Sequence, residues 1–385
     1  MKTFKGYKRA NGTFGVRNHV IVINTVGELA GVANKLADLV PGVVPVIQQG
    51  GTSQFPEDAM QTIRTIKGTV GHPNVYAALI LGMGEDDFAE QIAVELREEQ
   101  CKVEAIVINK NTSIDKIFTD GKAWLNQSYE DSLKVERVDV PITELTIGLE
   151  CGGSDAWSGI TANPAIGVCS DLIVDDGATS ILAETTEAIG AEHILARRAV
   201  NEQVAKDFLT IVKNYENRIL DTGEDIRSAN PTPGNMAGGL TTLEEKSLGC
   251  IKKGGYAPLQ QVLKYAEKPD TKGFVFMDTP GYDVESVAGL AAGGSQIVLF
   301  STGKGSPTGS PIVPVIKVGT NPKLYEIMSE HIDVNAGTIV EGKKTLQDVG
   351  EEIYNLVMEV ADGEKTKAEQ HRNQEFAIWR LAQSI

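Results

Sequence analysis

The chain has 385 residues, with 52 acidic against 36 basic side chains and a formal net charge of −16. That balance argues against nucleic acid or an anionic membrane as a partner, because both repel an acidic surface. The apolar and charged fractions are those of a globular chain long enough for two or three cores, and the four scattered cysteines lack the CxxC spacing of a structural zinc site.

Along the chain, Val20–Asn24, Val43–Ile47, Tyr76–Leu81 and Val103–Ile108 read as buried strands. Helical patterns over Glu28–Leu39, Pro56–Ile66, Phe88–Glu99 and Ser113–Asn126 separate them. Strands alternating with helices of this length predict a parallel sheet covered on both faces, with right-handed crossovers. The charged stretch Tyr129–Arg137 reads as a linker, so residues 1–138 are expected to form a β/α domain of flavodoxin-like, doubly wound order. Residues 139–385 then form a larger, glycine-rich α/β catalytic domain. Its strands are expected at Leu145–Leu149, Thr179–Ala183, Gly273–Asp278, Gln296–Ser301 and Val313–Val318. Its helices are expected from Pro164 and over Ala188–Tyr215, Thr242–Lys252, Val284–Ala292, Pro322–Glu330 and Leu346–Val360. Gly363–Gln370 reads as a solvated charged segment, and the run to Trp379 as one that docks a helix. No secretory signal pattern and no apolar run of transmembrane length is present, which makes a reducing cytoplasm the expected compartment.

The stretch Glu150 to Pro164 (ECGGSDAWSGITANP) is the densest in chemistry. It packs a thiol (Cys151), a carboxylate (Asp155), hydroxyls including Ser154 and Thr161, and a carboxamide (Asn163) between a strand and a helix. Glycines there let backbone approach a ligand, and the carboxyl end of a strand in an α/β sheet is where ligands bind. A tight turn whose polar groups serve only the local backbone is the plainer alternative.

Other strand ends add candidates. Glu184, Glu187 and His193 suit a divalent metal or acid–base work, or equally an acidic first helical turn. Thr242 and Glu245 have capping-box spacing, while Asn235 and Lys246 on the same segment are placed to reach a ligand. Asp278 and Lys304 close adjacent strands, with Lys317 a further cation nearby. Gly303-Lys304-Gly305 lacks the rest of a P-loop, and Gly82-Met83-Gly84 lacks the third glycine of a dinucleotide fingerprint.

These motifs carry a resemblance. GYKR (Gly6–Arg9), GVRNH (Gly15–His19), CGGSDAWSGITANPAIG (Cys151–Gly167), NPTPGNMAGGLTTLEEKSLG (Asn230–Gly249), MDTPGYD (Met277–Asp283), TGKGSPTGSPIVPVIKV (Thr302–Val318) and HIDVNAGTI (His331–Ile339) recur together in one family. The chain resembles the large catalytic portion of the altronate/galactarate dehydratases, to which sulfolactate sulfo-lyase large subunits are also similar. The resemblance implies a hydro-lyase that removes water from a sugar acid such as altronate or galactarate, giving a 2-keto-3-deoxy acid. It implies a divalent metal, Fe2+ or Mn2+, and a separate small subunit, since single-chain members carry a small domain before the GYKR motif. An oligomer is expected.

Under that chemistry, Cys151, Asp155, Glu184, His193 and Lys246 are the catalytic candidates. Cys151, Glu184, Glu187 and His193 form the metal-ligand pool. Ser154, Thr161, Asn163, Asn235 and Asp278 are placed to bind the polyol, and Arg17, Lys246 or Lys304 to hold a carboxylate. The first third departs from the pattern. Gln48-Gln49-Gly50-Gly51-Thr52 stands where many dehydratases carry His and Cys, and Gly82-Met83-Gly84-Glu85-Asp86 stands where they carry another Cys. A different hydroxy acid, a different metal arrangement or a sulfonate leaving group would each account for this. (2R)-sulfolactate cleavage to sulfite and pyruvate is therefore the alternative activity, and a non-catalytic sugar-acid-binding subunit the second alternative.

Overall fold

The computed structural model describes residues 2–109 and 112–385. In chain order the first strands are β1 (Thr3–Lys8), β2 (Phe14–Gly15), β3 (His19–Asn24), β4 (Val43–Val46), β5 (Val75–Met83), β6 (Lys102–Ile108) and β7 (Val138–Pro141). They are followed by β8 (Thr146–Cys151), β9 (Thr179–Leu182), β10 (Leu259–Leu263), β11 (Gly273–Met277), β12 (Ile297–Thr302), β13 (Val315–Gly319) and β14 (Val334–Asn335).

One parallel sheet has the order β4-β3-β5-β6. Alternation along β3 explains its two covers. Val20 and Val22 face Leu36, Leu79 and Ile117, from the helices Ala30–Leu39 and Ile114–Ser132 and from β5. Ile21 and Ile23 face Ile66 and Ile92, from Pro56–Val70 and Ala89–Glu98.

The second sheet is also parallel, with the order β10-β11-β9-β8-β12-β13-β14. Its central strands are buried almost throughout: β12 (IVLFST) entirely, and β8 (TIGLEC) apart from half-buried Thr146. Helices Ala162–Asp175 and Leu346–Asp362 cover one face, through Ile166, Ile173, Ile353 and Val357. On the other face, Leu290 and Ala291 of helix Asp283–Ala292 share a cluster with Ile66 and Val70, so one apolar core runs between the two sheets. β1 pairs antiparallel with both β2 and β7, giving a small third sheet.

Several expectations are corrected. The helix from Ile114 runs to Ser132 and absorbs half of the predicted linker. The long helix expected over Ala188–Tyr215 is two helices, Glu192–Ala196 and Glu202–Leu220, because the Asn201 carboxamide caps a new start by accepting from the Val204 amide. β10 was hidden because its interior is polar and it lies at the sheet edge. The charged 363–370 segment is not simply solvated. It contains Glu369, whose carboxylate receives the Arg17 guanidinium through Nε and Nη2 at 2.7 and 2.8 Å. Trp379 stacks on Tyr215 of the Glu202–Leu220 helix at 5.6 Å. Among the described residues no helix is long and apolar enough to cross a membrane.

Candidate active site

β8 delivers Cys151 at its carboxyl end, and the two glycines after it are required by space and by backbone. A Cβ on Gly152 would lie 2.1 Å from Asp283 Oδ2, and Gly153 has a φ of 65°. The neighbouring strand β9 ends just before Glu184, which holds a left-handed backbone at φ 71°. A bulky residue in that region is uncommon and marks a position the surrounding structure enforces. Here the enforcement is visible: the Glu184 amide donates to Thr279 Oγ1 at 2.7 Å, and its carboxylate is aimed back at β8.

The result is a buried chain of charged and sulfur groups. Glu184 Oε2 accepts from the Cys151 amide at 2.9 Å and from Lys253 Nζ at 2.5 Å. Its other oxygen lies 3.5 Å from Cys151 Sγ. Cys151 Sγ is 3.5 Å from Cys250 Sγ, and Cys250 Sγ is 3.5 Å from Glu187 Oε2. Glu187 Oε1 meets Lys246 Nζ at 2.8 Å, and that ammonium also donates to Asn230 Oδ1 at 2.9 Å. Lys253 is 0% exposed, and both thiols are buried.

Neighbours separate the proton affinities of these groups. A hydrogen bond from the Cys250 thiol, reinforced by the Lys253 and Lys246 charges, holds Cys151 well below the ordinary thiol range. The same bond, with burial, pushes Cys250 well above it. Burial and the adjacent sulfur anion push Glu184 up. Burial alone would lower Lys253, but the Cys151 and Glu184 charges outweigh it and hold the lysine well above its usual value. The Glu187 charge does the same for Lys246 against its own burial. Negative charge therefore concentrates on the thiol pair, between two ammonium groups.

A cavity of about 240 Å³ reaches this chain from the surface, lined among others by Ser154, Asp155, Asn163, Lys246 and Cys250. Ser154, in its wall, has Oγ 3.6 Å from Cys151 Sγ.

The sequence candidates fall into distinct places. Cys151, Glu184, Glu187 and Lys246 come together, with Ser154 beside them. Asp155 is a clamp: its carboxylate accepts from the Ser158 amide and hydroxyl, Thr320 Oγ1 and Asn321 Nδ2 at 2.9 to 3.0 Å, tying two strand-end loops. Asn163 bridges Ser301 Oγ and the Gly249 carbonyl, and the Thr161 hydroxyl donates to the Trp157 and Thr320 carbonyls. Asn235 caps its own short helix and donates to the Ser154 carbonyl. Asp278 accepts from Thr185 Oγ1 at 2.5 Å, on the far side of the Glu184 turn. Lys304 is exposed, with its stem against Gly153. Arg17 spends all its donors on Glu369 and backbone carbonyls of Val16, Val360 and Glu364, away from this cavity. His193 is exposed on its short helix and makes no side-chain hydrogen bond to the cluster among the described residues, because the helical turn from Glu192 points it outward. The expected capping arm of Glu245 goes to the Thr241 amide and hydroxyl, while Thr242 Oγ1 accepts from the Glu245 amide.

The donor set does not fit the expected metal. Each candidate carboxylate already has one oxygen on a buried ammonium and the other against a thiol, and His193 is elsewhere. Among the described residues no group of three or more His, Cys, Asp or Glu side chains is arranged to hold a metal ion.

Two members of the cluster, Cys250 and Lys253, are absent from the sequence candidates. A signal for them exists. Lys246, Cys250 and Lys253 are spaced i, i+4, i+7 through helix Leu243–Cys250 and the turn Ile251–Gly254, which puts them on one face.

Comparison with known proteins follows this geometry. A family model described as D-galactarate/altronate dehydratase, C-terminal, matches residues 142–384, and one described as D-galactarate dehydratase/altronate hydrolase, second domain, matches residues 6–132. The chain is 38% identical to an altronate dehydratase of Bacillus subtilis, over 98% of this chain and 78% of that protein. It is 35% identical to an altronate dehydratase of Escherichia coli, over 97% of this chain and 77% of that one. It is 36% identical to a (2R)-sulfolactate sulfo-lyase subunit beta of Chromohalobacter salexigens, over 100% of this chain and 98% of that one.

Proposed function

Because the chain belongs to the D-galactarate/altronate dehydratase family, we propose that it is a lyase that removes water from a sugar acid. The observation that carries the reading is the thiol pair Cys151–Cys250, held between Lys253 and Lys246 at the end of a surface cavity.

Dehydration next to a carboxylate needs a base for the weakly acidic proton at C2, a counter-charge for the enediolate that results, and a proton for the departing C3 hydroxyl. The thiol pair is the base: contact with Cys250 and the nearby Lys253 and Lys246 charges favour the Cys151 thiolate, and Cys250 lines the cavity. Lys246, also at the cavity wall, faces the substrate carboxylate and the charge that develops there. Its tie to Glu187 and Asn230 fixes its position before substrate arrives. The proton taken by the pair is returned to the leaving hydroxyl, which departs as water. Lys253 and Glu184 hold Cys151 in place, and the Asp155 clamp and Asn235 hold the loop that shapes the cavity.

The near-complete match to a sulfo-lyase subunit beta favours a second reading, in which sulfite rather than water leaves and a second polypeptide completes the enzyme. Incubating the chain with aldonates, aldarates and sulfolactate, with and without a small partner subunit, separates the readings. A 2-keto-3-deoxy acid supports dehydration. Sulfite and pyruvate transfer the chain to the sulfo-lyase activity, and silence across the panel overturns both.

A further inference from the structure

The same thiol pair has a geometry that elimination does not require. Cys151 and Cys250 come from different elements, 99 positions apart, and their sulfurs lie 3.5 Å from each other. A disulfide needs about 2.05 Å between sulfurs, so closure asks for a movement of about 1.5 Å, within reach of side-chain rotation. We propose that Cys151 and Cys250 form a reversible disulfide when a hydroperoxide enters the cavity, and that this oxidation switches the site off. The proposal rests on the reading of the thiol pair as the base.

Three further observations support it. The pair has both things such chemistry needs, a sulfur favoured as thiolate beside two ammonium groups and a second thiol in contact to resolve it. The cavity gives a small oxidant access, since Cys250 and the Ser154 hydroxyl next to Cys151 line it. The remaining cysteines are unsuited: Cys169 is buried in the apolar core, and Cys101 Sγ accepts from the Asn11 amide and has no second thiol beside it among the described residues.

The step balances. The thiolate attacks one peroxide oxygen, the O–O bond breaks, and a sulfenic acid forms while the departing oxygen takes a proton from water and leaves as an alcohol or water. The second thiol attacks that sulfur, the S–O bond breaks, the S–S bond forms and water leaves. The two sulfurs lose two electrons to the peroxide. The product has no thiolate and no S–H, so the base is gone while Glu184 and Lys253 remain.

The test treats the whole chain with hydrogen peroxide, alkylates free thiols and maps the peptides by mass spectrometry. The expected result is a linked pair of peptides containing Cys151 and Cys250, a loss of turnover of at least tenfold, and recovery of both by dithiothreitol. Cys250→Ser is expected to remove the linkage and let excess peroxide carry Cys151 past the sulfenic acid to the sulfinic acid, which dithiothreitol does not reverse, whereas Cys101→Ser and Cys169→Ala leave the linkage intact. Two results overturn the proposal: both thiols still alkylated after Cys101 has been oxidised, or a linked pair formed with turnover unchanged. If the untreated chain turns over no acid of the panel, the dehydratase reading fails, while the peptide map still reports independently on the disulfide.

Discussion

Two lysines near the end of β8 are equally buried and meet opposite fates. Lys253 sits on the Cys151 side, in contact with the Glu184 carboxylate and close to a sulfur anion, and stays charged. Lys317 sits in the row Glu150–Phe300–Lys317 across β8, β12 and β13, one residue out of step with Cys151 and so on the other face of the sheet. Its ammonium meets the Thr308 carbonyl and lies 3.5 Å from the centre of the Phe300 ring. No carboxylate touches it among the described residues, and burial pushes it down to about 7. Burial alone therefore does not decide the charge of a lysine here; an anion in contact does. One face of the sheet stores charge for chemistry, and on the other a lysine against an aromatic ring gives up its proton near neutral pH.

Substitutions can break this comparison. Cys151→Ala should cost the most, roughly 10²- to 10⁴-fold in kcat/KM, with circular dichroism unchanged, since it removes the base and no large buried volume. Lys253→Met leaves Glu184 and the sulfur anion unpaired in the interior. Urea unfolding should show a loss of about 3–5 kcal/mol, and turnover should fall with it. Asp155→Asn strips acceptors from a clamp with four donors, and should cost roughly 1–3 kcal/mol in stability while kcat falls far less than in Cys151→Ala.

Lys317→Met should have the smallest effect on turnover and the opposite sign on stability. The unfolded chain keeps Lys317 protonated up to its ordinary value of 10.5, while the folded chain releases the proton near 7. Between those values the unfolded state binds more protons, so this group makes stability rise with pH, and below about 7 it is a constant cost. The variant should therefore gain stability over the parent near pH 6, lose that advantage toward pH 10, and turn over normally. Paired urea titrations at the two pH values check this.

Much of the framework was legible in the sequence. The β3 and β5 runs are aliphatic along their length, as strands buried on both faces must be, and the glycine-spaced motif after β8 lies beside the candidate site. What could not be read were contacts between distant segments. Arg17 looked like an anion-binding residue because nothing local shows that Glu369, 352 positions away, takes its guanidinium. Asp155 looked catalytic because its partners Thr320 and Asn321 lie on another strand end. His193 was attractive from its proximity in sequence to Glu187, but the helical turn between them faces it to solvent. Cys250 and Lys253 escape a reading that takes the segment as a capped helix, although their i+4 and i+7 spacing from Lys246 puts three reactive groups on one face.

In this mechanism the Cys151–Cys250 pair removes the proton at C2. The most direct test of that step is deuterium exchange, followed by proton NMR, at C2 of a 2-hydroxy acid that lacks the C3 hydroxyl and so cannot complete elimination. The account predicts exchange catalysed by the parent chain and abolished in Cys151→Ala, with Lys317→Met exchanging at the parent rate. Undiminished exchange in Cys151→Ala would contradict it.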